Sequence, residues 1–149
     1  MSSSATLNPL LQLVEHVAQS RPFKADVLSR LTGVNLEPEP VEENPFFTFY
    51  AGGPSPDGLL QHVEVRVPNG KGNRIDGKVI LIVSPAAQLS ARTLREHFGH
   101  PWNFSVPRVD AEVQQAHGLM WRLQWGMIRC GYKPDEGDRV SSIIFDADR

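Results

Sequence analysis

The sequence predicts an α+β fold, a mainly antiparallel sheet of about five to six strands with two amino-terminal helices and one mid-chain helix. Near the amino end, apolar residues recur at spacings of three and four, as on one face of a helix. Later stretches alternate apolar with polar residues or run continuously apolar, as strands do. The chain is 40% hydrophobic and 21% charged, which is typical of a folded protein. A length of 149 residues then predicts one domain over 1–149.

Local signals place the helices. Asn8-Pro9 is a helix start, because Asn caps free amide groups and Pro suits the first helical position. A second, shorter apolar pattern begins at Phe23 and ends at Gly33, a natural helix stop. Ser90 is placed to cap the mid-chain helix, predicted over 91–98. We expect residues 1–7 to be flexible.

Five segments predict strands. Residues 46–50 are aromatic and β-branched, and residues 62–67 alternate valine with polar side chains. The continuous apolar run 79–83 indicates a central strand covered on both faces. Apolar residues then alternate over 119–127, which predicts one long strand, and 140–145 returns as the last strand. Between the helices and the first strand, residues 36–45 are rich in Pro and Glu and predict an exposed connection.

Composition excludes several classes of function. A net charge of −2 and a pI near 6.2 give no general attraction to phosphate backbones, so we expect no nucleic-acid partner. No apolar run approaches the ~20 residues of a membrane-spanning helix, and no secretory signal begins the chain. We therefore expect a cytoplasmic protein without a membrane partner. Cys130 is the only cysteine, so it cannot form an internal disulfide, and we expect it to pack as a small hydrophobe.

The histidines do not have the spacing of a known metal motif, so we expect no metal site and no cofactor. His62, Glu64 and Arg66 share one polar strand face, where they would form an acid and base constellation or, more often, a solvated face. These three residues are the candidate site of an alternative function, a small enzyme or ligand-binding domain with a cleft between sheet and helices.

Two further groups of residues favour protein binding. The first is an acidic, Pro-stiffened stretch suited to a basic partner, formed by Glu37, Glu39, Glu42 and Glu43. The second is aromatic, formed by Trp102, Trp121 and Trp125, which are either core residues or interface anchors.

Because no catalytic set can be assembled, we expect a non-enzymatic protein of bacterial type that binds another protein, and a homodimer is left open. By analogy of size and element order, an immunity protein that blocks a toxin and a small secretion chaperone are the two classes considered.

Overall fold

A computed structural model describes residues 8–39, 46–70, 77–101, 103–105 and 117–147. The predicted helices are confirmed as α1 (Pro9–Gln19), α2 (Ala25–Thr32) and α3 (Ala91–Phe98). Local capping explains their starts, since the Asn8 side chain accepts a 2.8 Å hydrogen bond from the Leu10 amide and Ser90 accepts one from the Thr93 amide. None of the helices in these ranges is long and apolar enough to cross a membrane.

The strands form one antiparallel sheet, which confirms the predicted class. They are β1 (Glu37–Glu39), β2 (Phe47–Gly52), β3 (Leu60–Pro68), β4 (Lys78–Val83), β5 (Asn103–Ser105), β6 (His117–Leu123), β7 (Gly126–Lys133) and β8 (Arg139–Asp146). Their order across the sheet is β1-β2-β3-β4-β8-β7-β6-β5, and each neighbouring pair is antiparallel. The described sheet therefore has eight strands rather than five or six, and two of them, β1 and β5, are three-residue edge strands.

The single long strand predicted over 119–127 is wrong. A two-residue turn at Gln124 and Trp125 divides it into β6 and β7, with Leu123 paired to Gly126. Neither Gln124 nor Trp125 has a positive φ, so the turn is not the type that favours Asn-Gly, and the sequence lacks that hairpin signal. Gly126 is the residue that the turn requires, because its φ is +156° and a Cβ there would overlap the carbonyl oxygen of Asp146.

The predicted connection over 36–45 also needs correction. Residues Glu37–Glu39 pair with β2 as an edge strand, and they are exposed as predicted. Pro38 fits there because an edge strand tolerates a residue without an amide donor. The remainder of the predicted connection, 40–45, lies outside the described residues, as do residues 1–7.

The hydrophobic core lies between one face of the sheet and the helices. It joins Leu10, Val14 and Val17 of α1 and Leu94 of α3 to alternate residues of the central strands, including Leu81. Burial in β4 alternates strictly, so Val79, Leu81 and Val83 are buried while Ile80 and Ile82 are half-buried. The expectation that β4 is covered on both faces is therefore wrong for the described residues, since Ile80 and Ile82 are outside this core.

Candidate functional site

The opposite face of the sheet, here called the open face, is the first candidate site. The strand registers define one row of side chains across it: Glu37, Ala51, Glu64, Ile80, Ile144, Arg129, Met120 and Asn103. A second row contains Glu39, Phe49, Arg66, Lys78, Asp146, Met127 and Arg122. A shorter third row contains His62, Ile82, Ser142, Gly131 and Gly118.

The middle of the open face is apolar. Its largest apolar side chains are half-buried and are Ile80, Ile82, Met120, Met127 and Ile144. They come from four strands, β4, β6, β7 and β8, which the sheet order brings side by side. None of the described helices packs on this face, and an antiparallel face without such cover usually carries polar residues, so the branched and sulfur-containing side chains here form an unusual apolar patch.

Charge divides the two sides of this patch. On the side of β1 to β3 lie Glu37, Glu39 and Glu64, with Arg66 as the cation among them. The Glu64 carboxylate accepts from the Arg66 guanidinium at 3.1 Å, and that guanidinium lies 4.8 Å from the centre of the Phe49 ring. On the side of β6 and β7 lie the exposed Arg122 and Arg129. One side of the face is thus acidic overall and the other is basic.

The acidic candidates are divided between the open face and undescribed sequence. Glu37 and Glu39 occupy the edge strand, and Glu37 also accepts a 3.3 Å hydrogen bond from the Asn35 side chain. Glu42 and Glu43 lie outside the described residues.

The tryptophans have separate environments. Trp121 is 2% exposed in the core, where its indole donates a 3.0 Å hydrogen bond to the Gly99 carbonyl, so a partner cannot reach it on the folded chain. Trp125 is half-buried at the β6–β7 turn, packed edge-on against Phe23 with the Arg21 guanidinium 4.7 Å from its ring centre. Trp102 lies outside the described residues.

The alternative candidates His62, Glu64 and Arg66 share the open face, as strand alternation predicted. They therefore lie on the side of the sheet away from the helices, whereas the alternative function needs a cleft between sheet and helices. Glu64 and Arg66 pair with each other, and His62 is exposed. The three polar side chains thus follow one strand within the larger open face.

A cleft does exist on the helical side. It has a volume of about 690 Å³ and lies between α3 and the ends of β6 and β7. Basic groups in its lining are Arg92, Arg95 and His100, and acidic groups are Glu96 and Asp138. Leu119 and Tyr132 line the part of the cleft against the sheet. His62, Glu64 and Arg66 do not line this cleft.

Cys130 is buried beneath the helices in the core. Burial raises the pKa of its thiol to about 12, against which a hydrogen bond with the Leu119 backbone acts more weakly. A thiol held in this state is a packing group rather than a nucleophile, because the thiolate is the reactive form. Over the part of the chain that the structure describes, no cluster of three or more His, Cys, Asp or Glu side chains is placed to hold a metal ion.

Comparison of the chain with models of known protein families, with curated protein sequences and with solved structures gave no match.

Sequence reasoning missed the apolar centre of the open face and its basic side. The available signal was strand parity, because Ile80 and Ile82 alternate with Val79 and Leu81 and so must point to the opposite face. Parity alone does not show whether that opposite face is covered, and a continuous apolar run made coverage the natural expectation.

Proposed function

We propose that this chain is a protein-binding domain and that the open face is its binding surface. One observation carries the proposal: half-buried isoleucine and methionine side chains occupy the middle of a sheet face outside the hydrophobic core. Contiguous apolar surface rimmed by charge is typical of protein interfaces, and methionine adapts well to a partner surface.

The two charged sides supply specificity. Complementary charge guides encounter and fixes register, so the preferred partner is basic where it meets Glu64 and acidic where it meets Arg129, and the exposed Glu37 and Glu39 at the edge strand assist encounter. A hollow of about 210 Å³ beside Met120 and Arg129 is smaller than the roughly 300–1,000 Å³ of small-molecule sites, so the face suits a protein better than a small molecule. Within the proposal, a toxin-blocking immunity protein and a small secretion chaperone, each acting in the cytoplasm, are the classes suggested by size and element order.

Affinity capture from the native cell tests the proposal. The bait proteins are the wild-type chain, Ile82→Lys on the open face, and Gln12→Lys on the exposed side of α1 as a control for added charge. We expect a partner captured by the wild type and the control to be lost with Ile82→Lys, because a charge in the apolar patch cannot be buried unpaired. Far-ultraviolet circular dichroism verifies that each bait is folded. Capture that Ile82→Lys leaves unchanged would contradict the proposal.

The cleft beside α3 supports a second candidate function, the binding of a small acidic ligand. Its volume of about 690 Å³ falls within the range of ligand sites, roughly 300–1,000 Å³. Arg92 and Arg95 are three apart on one helix, so both can face the same ligand. Screening dicarboxylates and phosphate monoesters by thermal shift tests it, with Arg30→Ala, at an exposed position of α2, as the control for Arg95→Ala. A ligand shift that Arg95→Ala leaves intact would exclude this cleft.

A further inference from the structure

We propose that the partner of the open face is a second copy of this chain, packed face to face about a two-fold axis parallel to the strands between β4 and β8. This inference rests on the proposed function and names its partner. It follows from the order of charged and apolar residues along the rows of the face.

The axis has a defined effect on the strands. Turning one sheet over about a line parallel to its strands reverses the strand order, and the line between β4 and β8 is the middle of that order. It therefore places β4 on β8 of the second copy, β3 on β7, and β2 on β6. Every contact occurs twice, as in any isologous dimer.

The first row is self-complementary in this arrangement. Ile80 meets Ile144 of the partner subunit, so the apolar centres cover each other. One step outward, Glu64 meets Arg129 of the partner subunit, because each lies one strand from the central pair. A second step outward, the partner's Met120 lies over the position of Ala51, which is already buried within its own chain.

Charge also selects this axis over the other way of packing the same face. An axis perpendicular to the strands would place each strand on its own copy, so that Glu64 would approach the partner's Glu64 and Arg129 would approach the partner's Arg129. Like charges opposed across an interface are strongly unfavourable, and opposite charges set the register. Arg122 and Asp146 have contacts within the chain, and the Glu64 Oε2 atom accepts from Arg66. The charge argument therefore depends on Arg129 of one subunit adding to the Glu64–Arg66 pair of the other, since a carboxylate can accept several hydrogen bonds.

The face is large enough for a stable dimer. Strands about 4.8 Å apart and same-face residues about 6.8 Å apart make six strands by three rows roughly 600 Å² in projection. Because side chains project from the sheet, the solvent-accessible area of this face exceeds its projected area and approaches the ~800 Å² per partner of a standard interface. The strand directions of two twisted sheets packed face to face differ by about −30°. Side chains near the two-fold axis therefore come closest together.

Charge exchange tests the inference, using the full chain and sedimentation velocity at concentrations from about 1 to 100 μM. The wild type is expected to dimerise. Glu64→Arg alone or Arg129→Glu alone places like charges together at both symmetric sites, so each variant should dimerise about tenfold more weakly or worse. Arg30→Glu, on the exposed surface of α2, is the control and should dimerise as the wild type does.

Mixing the two variants is the decisive measurement. In a mixed dimer, Arg at position 64 of one chain meets Glu at position 129 of the other, and the wild-type pair Glu64 and Arg129 forms at the second site. Native mass spectrometry should therefore show the mixed dimer in excess over both homodimers, which also establishes that both variants are folded. A wild type that is monomeric at 100 μM, or a dimer indifferent to both variants, would overturn the inference.

The proposed function fails separately. A monomeric wild type that still loses another captured protein on Ile82→Lys would overturn the dimer and keep the binding face. A dimer that resists Ile82→Lys as well as both charge variants would place the interface elsewhere, such as at an edge strand, and would overturn the dimer proposed here.

Discussion

Replacing Leu81 by Ala is expected to lower the free energy of unfolding by about 3 kcal/mol. Leu81 is fully buried in the central strand β4, between Val63 of β3 and Ile143 of β8, both also fully buried. The change removes three carbon atoms, worth ~0.8 kcal/mol each on transfer from water, or about 2.4 kcal/mol. The cavity that remains adds to this loss, within the ~2–5 kcal/mol seen for buried Leu→Ala changes.

Ile80→Ala is the matched control, because it removes the same number of carbon atoms from the next residue of the same strand. Ile80 is half-buried on the open face, so its loss exposes less new apolar surface and leaves a hollow that water can enter. We expect a cost of about 1 kcal/mol, since only part of the transfer free energy is lost. The difference between the two variants thus measures how far the helices cover one face of the sheet and not the other.

Urea unfolding followed by tryptophan fluorescence measures both variants, because Trp121 is buried in the same core. Each variant is measured at two protein concentrations, which separates any contribution of association from that of folding. A cost below about 1 kcal/mol for Leu81→Ala would place β4 at the surface and refute the layout. Equal costs at a concentration where the chain is monomeric would show that the chain itself covers the open face.

The remaining predictions concern other parts of the molecule. The pKa of Cys130 is about 12 in the folded chain and 9.0 for an unperturbed thiol, so the unfolded chain loses this proton first as pH rises. The free energy of unfolding should therefore fall between about pH 9 and 12, by up to ~1.4 kcal/mol per pH unit. This contribution should be absent in Cys130→Ala. Gly126→Ala should lower the free energy of unfolding by about 1–3 kcal/mol, because a Cβ at position 126 meets the Asp146 carbonyl. Gly58→Ala should cost less, since none of the described atoms lies within 4 Å of a Cβ at position 58. A urea midpoint that is lower for Gly58→Ala than for Gly126→Ala would contradict this order. Thermal melts with and without chelator should coincide, and a large loss with chelator would reveal a metal site. Replacing the four glutamates of the acidic stretch by Gln should leave the free energy of unfolding nearly unchanged. The same change should slow association with a partner, measured by stopped flow across a salt series. An unchanged association rate would show that the acidic stretch does not contribute to the interface. The residues changed in that variant are Glu37, Glu39, Glu42 and Glu43.

Features determined by neighbouring residues could be predicted from the sequence. The start of α1 at Asn8-Pro9 and the stop of α2 at Gly33 each depend on a few consecutive residues. The central position of β4 followed from its apolar run, because a strand with apolar residues on both faces is favoured in the middle of a sheet rather than at its edge. The shared face of His62, Glu64 and Arg66 followed from the two-residue period of a strand.

Tertiary structure alone decided which surface is open and what it presents. Parity separates Ile80 from Leu81, but the packing of the helices on one side decided which of the two is covered. Pairing β4 with β8 closes a long chain connection, and it places Arg129 in the same row as Glu64 across strands distant in sequence. Local patterns cannot encode such a row, because side-chain period fixes the face of each residue whereas chain topology fixes its neighbours.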